Sequence, residues 1–445
     1  MTATLRGALS TRQLFAYAGF ALPLAMVALP IYMFVPQFYA QGGLSLAWVG
    51  AVLLGVRLLA AFIDPLLGSW IESGNNAYHR FILIALPLLL LGFLALFHPP
   101  QLAVVGMVGL GLWFVVSLSI LYLGFSLATI AHQSWGAALA PEAGQRARIT
   151  GAREGCALLG VVLAASLSAR SHLGALTLAF CVCLGLAATC LLAQRAMRLP
   201  PGPAADATAA AAGSHGWRLP LQQPRFRALF AVLLVNGIAS AVPATLFLFF
   251  VSDYLQAANY APGLLLLFFG TATCSIVPWV RAAARWGEAR AWMVGMLWSA
   301  LIGVWAFALP IGSAGSAGAV GGAGAGVVGF AIICGLSGLA LGADLALPAA
   351  LLTGVIASAG HSKQHEAAYF GVWNWGVQIT LALSAGISLP VLSLCGFVPG
   401  QGVALTSLVS AYALLPCALK LLAAGLLWRA YKSSPALGQG TEEKT

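Results

Sequence analysis

The chain has 445 residues, 61% of them hydrophobic and only 7% charged, against about 25% charged in a soluble globular protein. So few polar residues cannot cover a water-facing surface of this size. That excludes a soluble enzyme, a disordered chain, and a nucleic-acid-binding reading of the formal charge of +10.

A membrane-spanning helix needs about 20 mostly apolar residues. Twelve spans are predicted, at 13–39, 46–71, 80–98, 102–139, 149–169, 172–194, 226–254, 262–284, 289–311, 325–358, 368–394 and 402–431. The expected fold class is an all-α integral membrane protein. The fourth and tenth spans are long enough to tilt or to project from the bilayer. The first begins after Arg12 without a small-residue cleavage site and reads as a retained helix, not a removed signal peptide. With the N-terminus in the cytoplasm, every Lys and Arg but four falls in a cytoplasmic segment. The exceptions are Arg170 on the opposite face and Arg57, Arg153 and Lys420 inside spans. This asymmetry predicts an even number of spans and two cytoplasmic termini.

Residues 199–224 carry Leu-Pro-Pro-Gly-Pro and an Ala-rich run without hydrophobic periodicity, and read as a linker. The predicted organisation is a six-helix bundle at 1–198, a cytoplasmic linker at 199–224 and a second six-helix bundle at 225–445. The second and eighth spans both end in a tight basic loop, near Arg80 and near Arg285 to Arg290. Two parallel six-helix repeats suit a major facilitator transporter with a central site. The Gly/Ala-rich loop at 311–329 reads as a flexible insertion. The eight cysteines sit in apolar segments without zinc spacing and read as packing residues.

Charges inside spans need a reason, since each costs about 2.5–3.5 kcal/mol at the bilayer centre. Asp64 lies within the second span before Pro65; it reads as a cation or proton carboxylate, or as the partner of Arg57. Arg153 and Glu154 are adjacent, about 100° apart around a helix, and need not pair with each other. Arg153 reads as a site residue or a snorkelling arginine, and Glu154 as a salt-bridge partner between helices or at the interface. Asp344 has no basic neighbour in sequence. It is read as a second coupling carboxylate or a bond across helices, with Lys420 as a candidate partner. Asn374 and Gln378, at i and i+4, share a helix face and call for an interior polar neighbour, whereas Trp373 and Trp375 point to different faces. His132 reads as a packing histidine. His361 and His365 flank Lys363 in a loop and read as solvated.

Three blocks carry a family resemblance over nearly the whole chain: "FYAQGGLSLAWVGAVLLGVRLLAAFIDPLLG" at 38–68, "ARITGAREG" at 147–155 and "EAAYFGVWNWGVQITLALSAGISLP" at 366–390. They resemble the glycoside–pentoside–hexuronide:cation symporters, the melibiose-permease-like family of the major facilitator superfamily. The resemblance implies a twelve-helix symporter that moves a small solute with Na⁺, H⁺ or Li⁺. It places Asp64 at the second of two acids of helix two, Arg153 at a position reaching the substrate, and Trp135 at a tryptophan that packs on sugar rings. The chain departs from the pattern at Ala60, where the family has its first acid, and at Gln378, where it commonly has Lys. It also lacks the acids of the first and fourth spans, which puts galactoside binding by that pattern in doubt. Tyr32, Tyr39, Asn236 and Thr245 remain as uncharged hydrogen-bonding groups.

The expected function is cation-coupled symport of a sugar or similar small solute by alternating access. Asp64 and Asp344 are the coupling candidates, and Trp135, Arg153, Trp373, Asn374, Gln378 and Tyr32 the solute-binding candidates. A lysophospholipid-like or other amphipathic solute is the alternative, since lysophospholipid symporters of animals resemble the same family. A polytopic membrane enzyme is disfavoured because no histidine forms a ligand-spaced pair with an intramembrane acid. No cofactor, metal or nucleic acid is expected. The expected partners are a carbohydrate-like solute, a coupling cation and the lipid bilayer of a bacterial inner membrane, with the protein a monomer. Ala60 and Gln378 favour H⁺ over Na⁺, because a cage of hard oxygens weakens as anionic ligands are lost.

Overall fold

The computed structural model describes residues 9–33, 35, 38–39, 42–74, 77–100, 102–140, 143–168, 173–194, 197, 216–309, 325–397 and 405–432, among which no strand occurs. The first predicted span is two helices, α1 (Thr11–Ala18) and α2 (Ala21–Met33), broken at Gly19. Ser10 and Gln13 form a reciprocal capping box, with Gln13 N–H donating to Ser10 Oγ at 3.3 Å and Ser10 N–H to Gln13 Oε1 at 3.0 Å. Then follow α3 (Leu46–Ser73), α4 (Tyr78–Phe97), α5 (Leu102–Leu139), α6 (Ala143–Ser168) and α7 (Leu173–Leu192). The length of α5 is resolved by a kink at Gly106, whose φ of 67° is open to glycine at no steric cost.

The rest of the chain contributes α8 (Pro224–Phe249), which runs into a π turn at Phe250–Tyr254, then α9 (Ala261–Trp286), α10 (Glu288–Phe307), α11 (Ala325–Ser358) and α12 (Glu366–Leu394). The last span is α13 (Leu405–Val409), a π turn at Ser410–Leu414 and α14 (Leu415–Lys432). These helices fall on the twelve predicted spans. Among the described residues, nine are long and apolar enough to cross a membrane on length and composition alone. Interior prolines at Pro65, Pro87, Pro243, Pro278 and Pro348 are carried within helices, as neighbouring spans permit. The described end of the predicted linker forms a 3₁₀ turn at Gly216–Arg218 and a short helix at Leu219–Gln222. The remainder of that linker, and residues 311–324 of the predicted insertion, lie outside the described residues.

The chain forms two compact units, Met1–Pro220 with Ile356–Trp375, and Leu221–Val355 with Gly376–Thr445. Lipid tails are as apolar as leucine, so packing between spans relies on close approach and interhelical hydrogen bonds. In the first unit α4 and α5 touch through Gly92 and Gly124: a Cβ on Gly92 would lie 2.6 Å from Leu121 N, and one on Gly124 2.8 Å from Leu89 N. Phe93 and Phe180 stack there at 4.1 Å. In the second unit Gly338 and Gly342, one turn apart on α11, pack against Phe268, Thr271 and Ser275 of α9. Two indoles fasten the same helix: Trp279 Nε1 of α9 donates to the Leu339 carbonyl at 2.7 Å, and Trp298 Nε1 of α10 to the Leu336 carbonyl at 3.0 Å. Phe250 and Tyr412, one from each π turn, stack at 4.1 Å.

Candidate functional site

In the first unit α3 carries Asp64 into the interior, where the residue is 1% exposed. Its carboxyl is hydrogen-bonded with Ser126 of α5, while Oδ1 has no hydrogen-bond partner among the described residues. Ser126, Thr129 and Gln133 recur at three- and four-residue spacing and so share one face of α5. Thr129 Oγ1 is likewise buried without a partner. Gln133 Oε1 accepts from Asn374 Nδ2 at 2.8 Å, and the same amide group donates to the Phe370 carbonyl at 2.8 Å. Ser126 thus ties Asp64 to the face of α5 that also carries Thr129 and Gln133, and Gln133 ties that face to Asn374 of α12. Ser126, Thr129 and Gln133 were not legible as site residues, because in sequence they are ordinary polar residues of an apolar helix. Ala60, one turn before Asp64, is buried at 7% exposure and adds no second acid. Trp373 is buried beside Asn374. Gln378, half-buried four residues on, belongs to the second unit. Tyr32 lies in α2, and its side chain is outside the described residues.

Arg153 of α6 is buried and folds onto Glu154, a pairing that the helical offset of adjacent side chains left open. Arg153 Nη2 and Nε reach Glu154 Oε1 at 2.6 and 3.0 Å. Burial makes this pairing favourable, since a desolvated guanidinium without an anion is costly. Arg153 also bonds the Tyr17 phenol. That phenol donates to the His132 carbonyl at 2.9 Å, while His132 Nε2 donates to the Tyr17 carbonyl at 2.9 Å. His132 is therefore a packing residue with its ring held by α1. Trp135 is 2% exposed, and its indole N–H donates to the Met197 carbonyl at 3.0 Å.

The second unit holds a charge network of its own. Asp344 of α11 forms an ion pair with Lys420 of α14. Asp344 Oδ1 also accepts from Trp292 Nε1 at 2.9 Å and from Asn236 Nδ2 at 3.2 Å. Lys420 Nζ completes its donors on Asn236 Oδ1 and Ser240 Oγ, both at 2.9 Å, so its three N–H groups all have acceptors. Asp344 therefore does bond across helices. Its partners come from α8, α10 and α14, none adjacent in sequence.

The loop before α12 corrects one expectation. His361 and His365, read as solvated, take part in a polar cluster. His365 Nδ1 is hydrogen-bonded with Glu72 Oε1 at the end of α3, and Glu366 accepts from the Lys363 N–H and, at 3.4 Å, from the Tyr78 hydroxyl. His361 Nδ1 meets the Tyr369 hydroxyl at 3.0 Å. The hydrogen bond to Glu72 lifts the His365 imidazole above its ordinary value, with burial acting in the opposite sense. Burial and then the neighbouring His365 lower His361. No group of three or more His, Cys, Asp or Glu among the described residues could hold a metal ion.

The chain matches the family model described as MFS/sugar transport protein over residues 14–433 and belongs to that family, of the glycoside–pentoside–hexuronide type. It is a major facilitator transporter and not an enzyme. No curated protein sequence matches it. Among solved structures it is similar to the major facilitator transporter FucP in the outward conformation, at 14% identity and a TM-score of 0.62, over 94% of this chain and 98% of that one. A bacterial homologue of the iron transporter ferroportin in the outward-facing state gives 16% identity and 0.65, over 95% and 99%. The proton:xylose symporter XylE bound to 6-bromo-6-deoxy-D-glucose gives 14% and 0.61, over 94% of each chain. At these identities the likeness shows the fold.

Proposed function

We propose that the protein is a proton-coupled symporter of a sugar-like solute, working by alternating access in a bacterial inner membrane with both termini cytoplasmic. One observation carries the coupling assignment: the Asp64 carboxyl is buried in a membrane span and, among the described residues, one of its oxygens has no partner and no cationic side chain is bonded to it. A carboxylate in that position needs a proton or a cation to offset its charge. Ala60 denies the site a second anionic ligand, and the side chain bonded to Asp64 is the Ser126 hydroxyl, which favours a proton over a sodium cage. Asp344, already matched by Lys420, has less freedom to exchange its charge. Two of the structural relatives are named as proton symporters of fucose and xylose, which agrees with this reading. Asn374 and Arg153 are the groups of the first unit assigned to hydrogen-bond the solute, with Trp373 beside Asn374.

The test is uptake into membrane vesicles with separately imposed pH and sodium gradients, over a panel of radiolabelled pentoses, hexoses, hexuronates and disaccharides. At least one is expected to accumulate with the pH gradient and to collapse with a protonophore. Asp64→Asn keeps the size of the side chain but carries no exchangeable charge; it should abolish accumulation while leaving downhill exchange. Accumulation by Asp64→Asn at the wild-type level, or uptake driven by sodium and indifferent to the protonophore, overturns the assignment.

A further inference from the structure

The second unit contains a cavity of about 570 Å³ walled by α8, α12 and the last span, within the range of about 300–1,000 Å³ typical of small-molecule sites. Ile238 and Val242 line it from α8, Ser384 and Ser388 from α12, and Ser410 and Leu415 from the π turn and the helix that follows. None of the described lining residues is charged, aromatic or an amide.

Ser384 is 1% exposed, and its hydroxyl has no hydrogen-bond partner among the described residues. Other hydroxyls in these spans do have one. Ser134, Ser119 and Thr353 bond the carbonyl one turn back, at 2.6, 2.7 and 3.0 Å. Ser384 stands on a helix where the same solution exists, yet its hydroxyl is left unbonded at the wall of a cavity. A second irregularity lies on the facing wall. The π turn at Ser410–Leu414 resets the helix there and brings Ser410 and Ala411 to the cavity; such turns are frequent at functional sites.

We infer that this cavity binds an uncharged aliphatic amphiphile whose hydroxyl or ester carbonyl pairs with Ser384, a ligand of the monoacylglycerol class. The wall chemistry selects it. The wall carries five hydroxyl residues, Ser384, Ser388, Thr406, Ser407 and Ser410, among aliphatic ones; a sugar would find no aromatic ring to stack on and no amide or charged group to pair its many hydroxyls, and each one left unpaired is costly. A zwitterionic or anionic headgroup would find no counter-charge. An alkyl chain fits the Ile, Val and Leu walls, and a single polar end satisfies the orphan hydroxyl, which otherwise bears the cost of an unmade hydrogen bond. Such a ligand comes either from the surrounding membrane as a resident lipid or from solution as a transported solute.

The experiment adds 1-monooleoylglycerol to the purified full chain in detergent, with binding read by native mass spectrometry and by thermal shift. The expected result is one bound molecule, unaffected by excess glucose and not reproduced by lysophosphatidylcholine. Ser384→Ala preserves shape and should weaken binding about fivefold, the worth of one hydrogen bond. Ala411→Phe fills the cavity and should abolish binding. Failure of the wild type to bind, wild-type affinity in Ser384→Ala, or unchanged binding in a folded Ala411→Phe overturns the proposal. Vesicle uptake of labelled 1-monooleoylglycerol then separates the sources: carriage across the membrane marks a solute, and binding without carriage marks a resident lipid.

Discussion

Gly68 and Gly371 meet backbone to backbone. A Cβ on Gly68 would lie 3.1 Å from Gly371 Cα, and one on Gly371 would lie 2.8 Å from the Asp64 carbonyl oxygen. A close approach of α3 to α12 therefore falls on the turn that carries the coupling candidate. Gly371→Leu should push the helices apart at an overpacking cost of about 1–3 kcal/mol. The expected outcome is folded protein with uptake lowered at least tenfold, and a smaller loss for Gly371→Ala. Uptake in vesicles, normalised to protein detected in the membrane, checks it; unchanged uptake by the leucine variant would show that the contact is not maintained.

Lys420 and Asp344 are buried together, so removing either leaves an uncompensated charge. Lys420→Ala is expected to cost about 3–5 kcal/mol of stability. The double variant Lys420→Met with Asp344→Leu should recover much of that loss, because the desolvation of both charges is relieved. Thermal unfolding of the purified variants in one detergent measures both. If the double variant is as unstable as the single one, the network stabilises through more than its ion pair.

The His365–Glu72 bond makes a pH-dependent contact outside the spans. Its folded imidazole titrates above the ordinary value. The stabilisation is therefore fully present below about pH 6.5, the usual histidine value, and is lost as pH rises through the raised folded value. Amide exchange over residues 360–365 should accelerate on going from about pH 6 to about pH 8.5 beyond the intrinsic pH effect. Glu72→Gln should remove that excess. An equal excess in the variant would mean that Glu72 is not the partner that matters.

Trp135 separates stacking on a solute from structural support. Its indole N–H is spent on the Met197 carbonyl. Trp135→Phe keeps an aromatic face but leaves that carbonyl unpaired, at about 1–3 kcal/mol. Lower thermal stability is expected, with the apparent solute affinity changed less than threefold. A tenfold loss of affinity at unchanged stability would return Trp135 to the solute.

The spans were legible because hydrophobicity over about 20 residues is a local property of the chain. Interior charges such as Asp64 stood out against that background for the same reason. Pairings were not legible. Asp344 and Lys420 lie 76 residues apart, and nothing in either helix marks the register that joins them. His365 read as solvated because its own loop is polar; Glu72 arrives from a helix nearly three hundred residues earlier. Ser126, Thr129 and Gln133 acquire meaning only once Asp64 and Asn374 are set against α5. The break in the first span at Gly19 and the two π turns follow no periodicity that apolar residues at almost every position could reveal.

The indoles of Trp279 and Trp298 reach carbonyls three residues apart on α11, about 4.5 Å along its axis. They approach from two different helices and act as a pair of rivets. Rolling α11 about its own axis would shear both, whereas swinging α9, α10 and α11 together would shear neither. The two bonds thereby favour movement of the three helices as one lever arm. Two separately translated fragments, cut between Leu309 and Ala325, should still find each other in the membrane and co-purify.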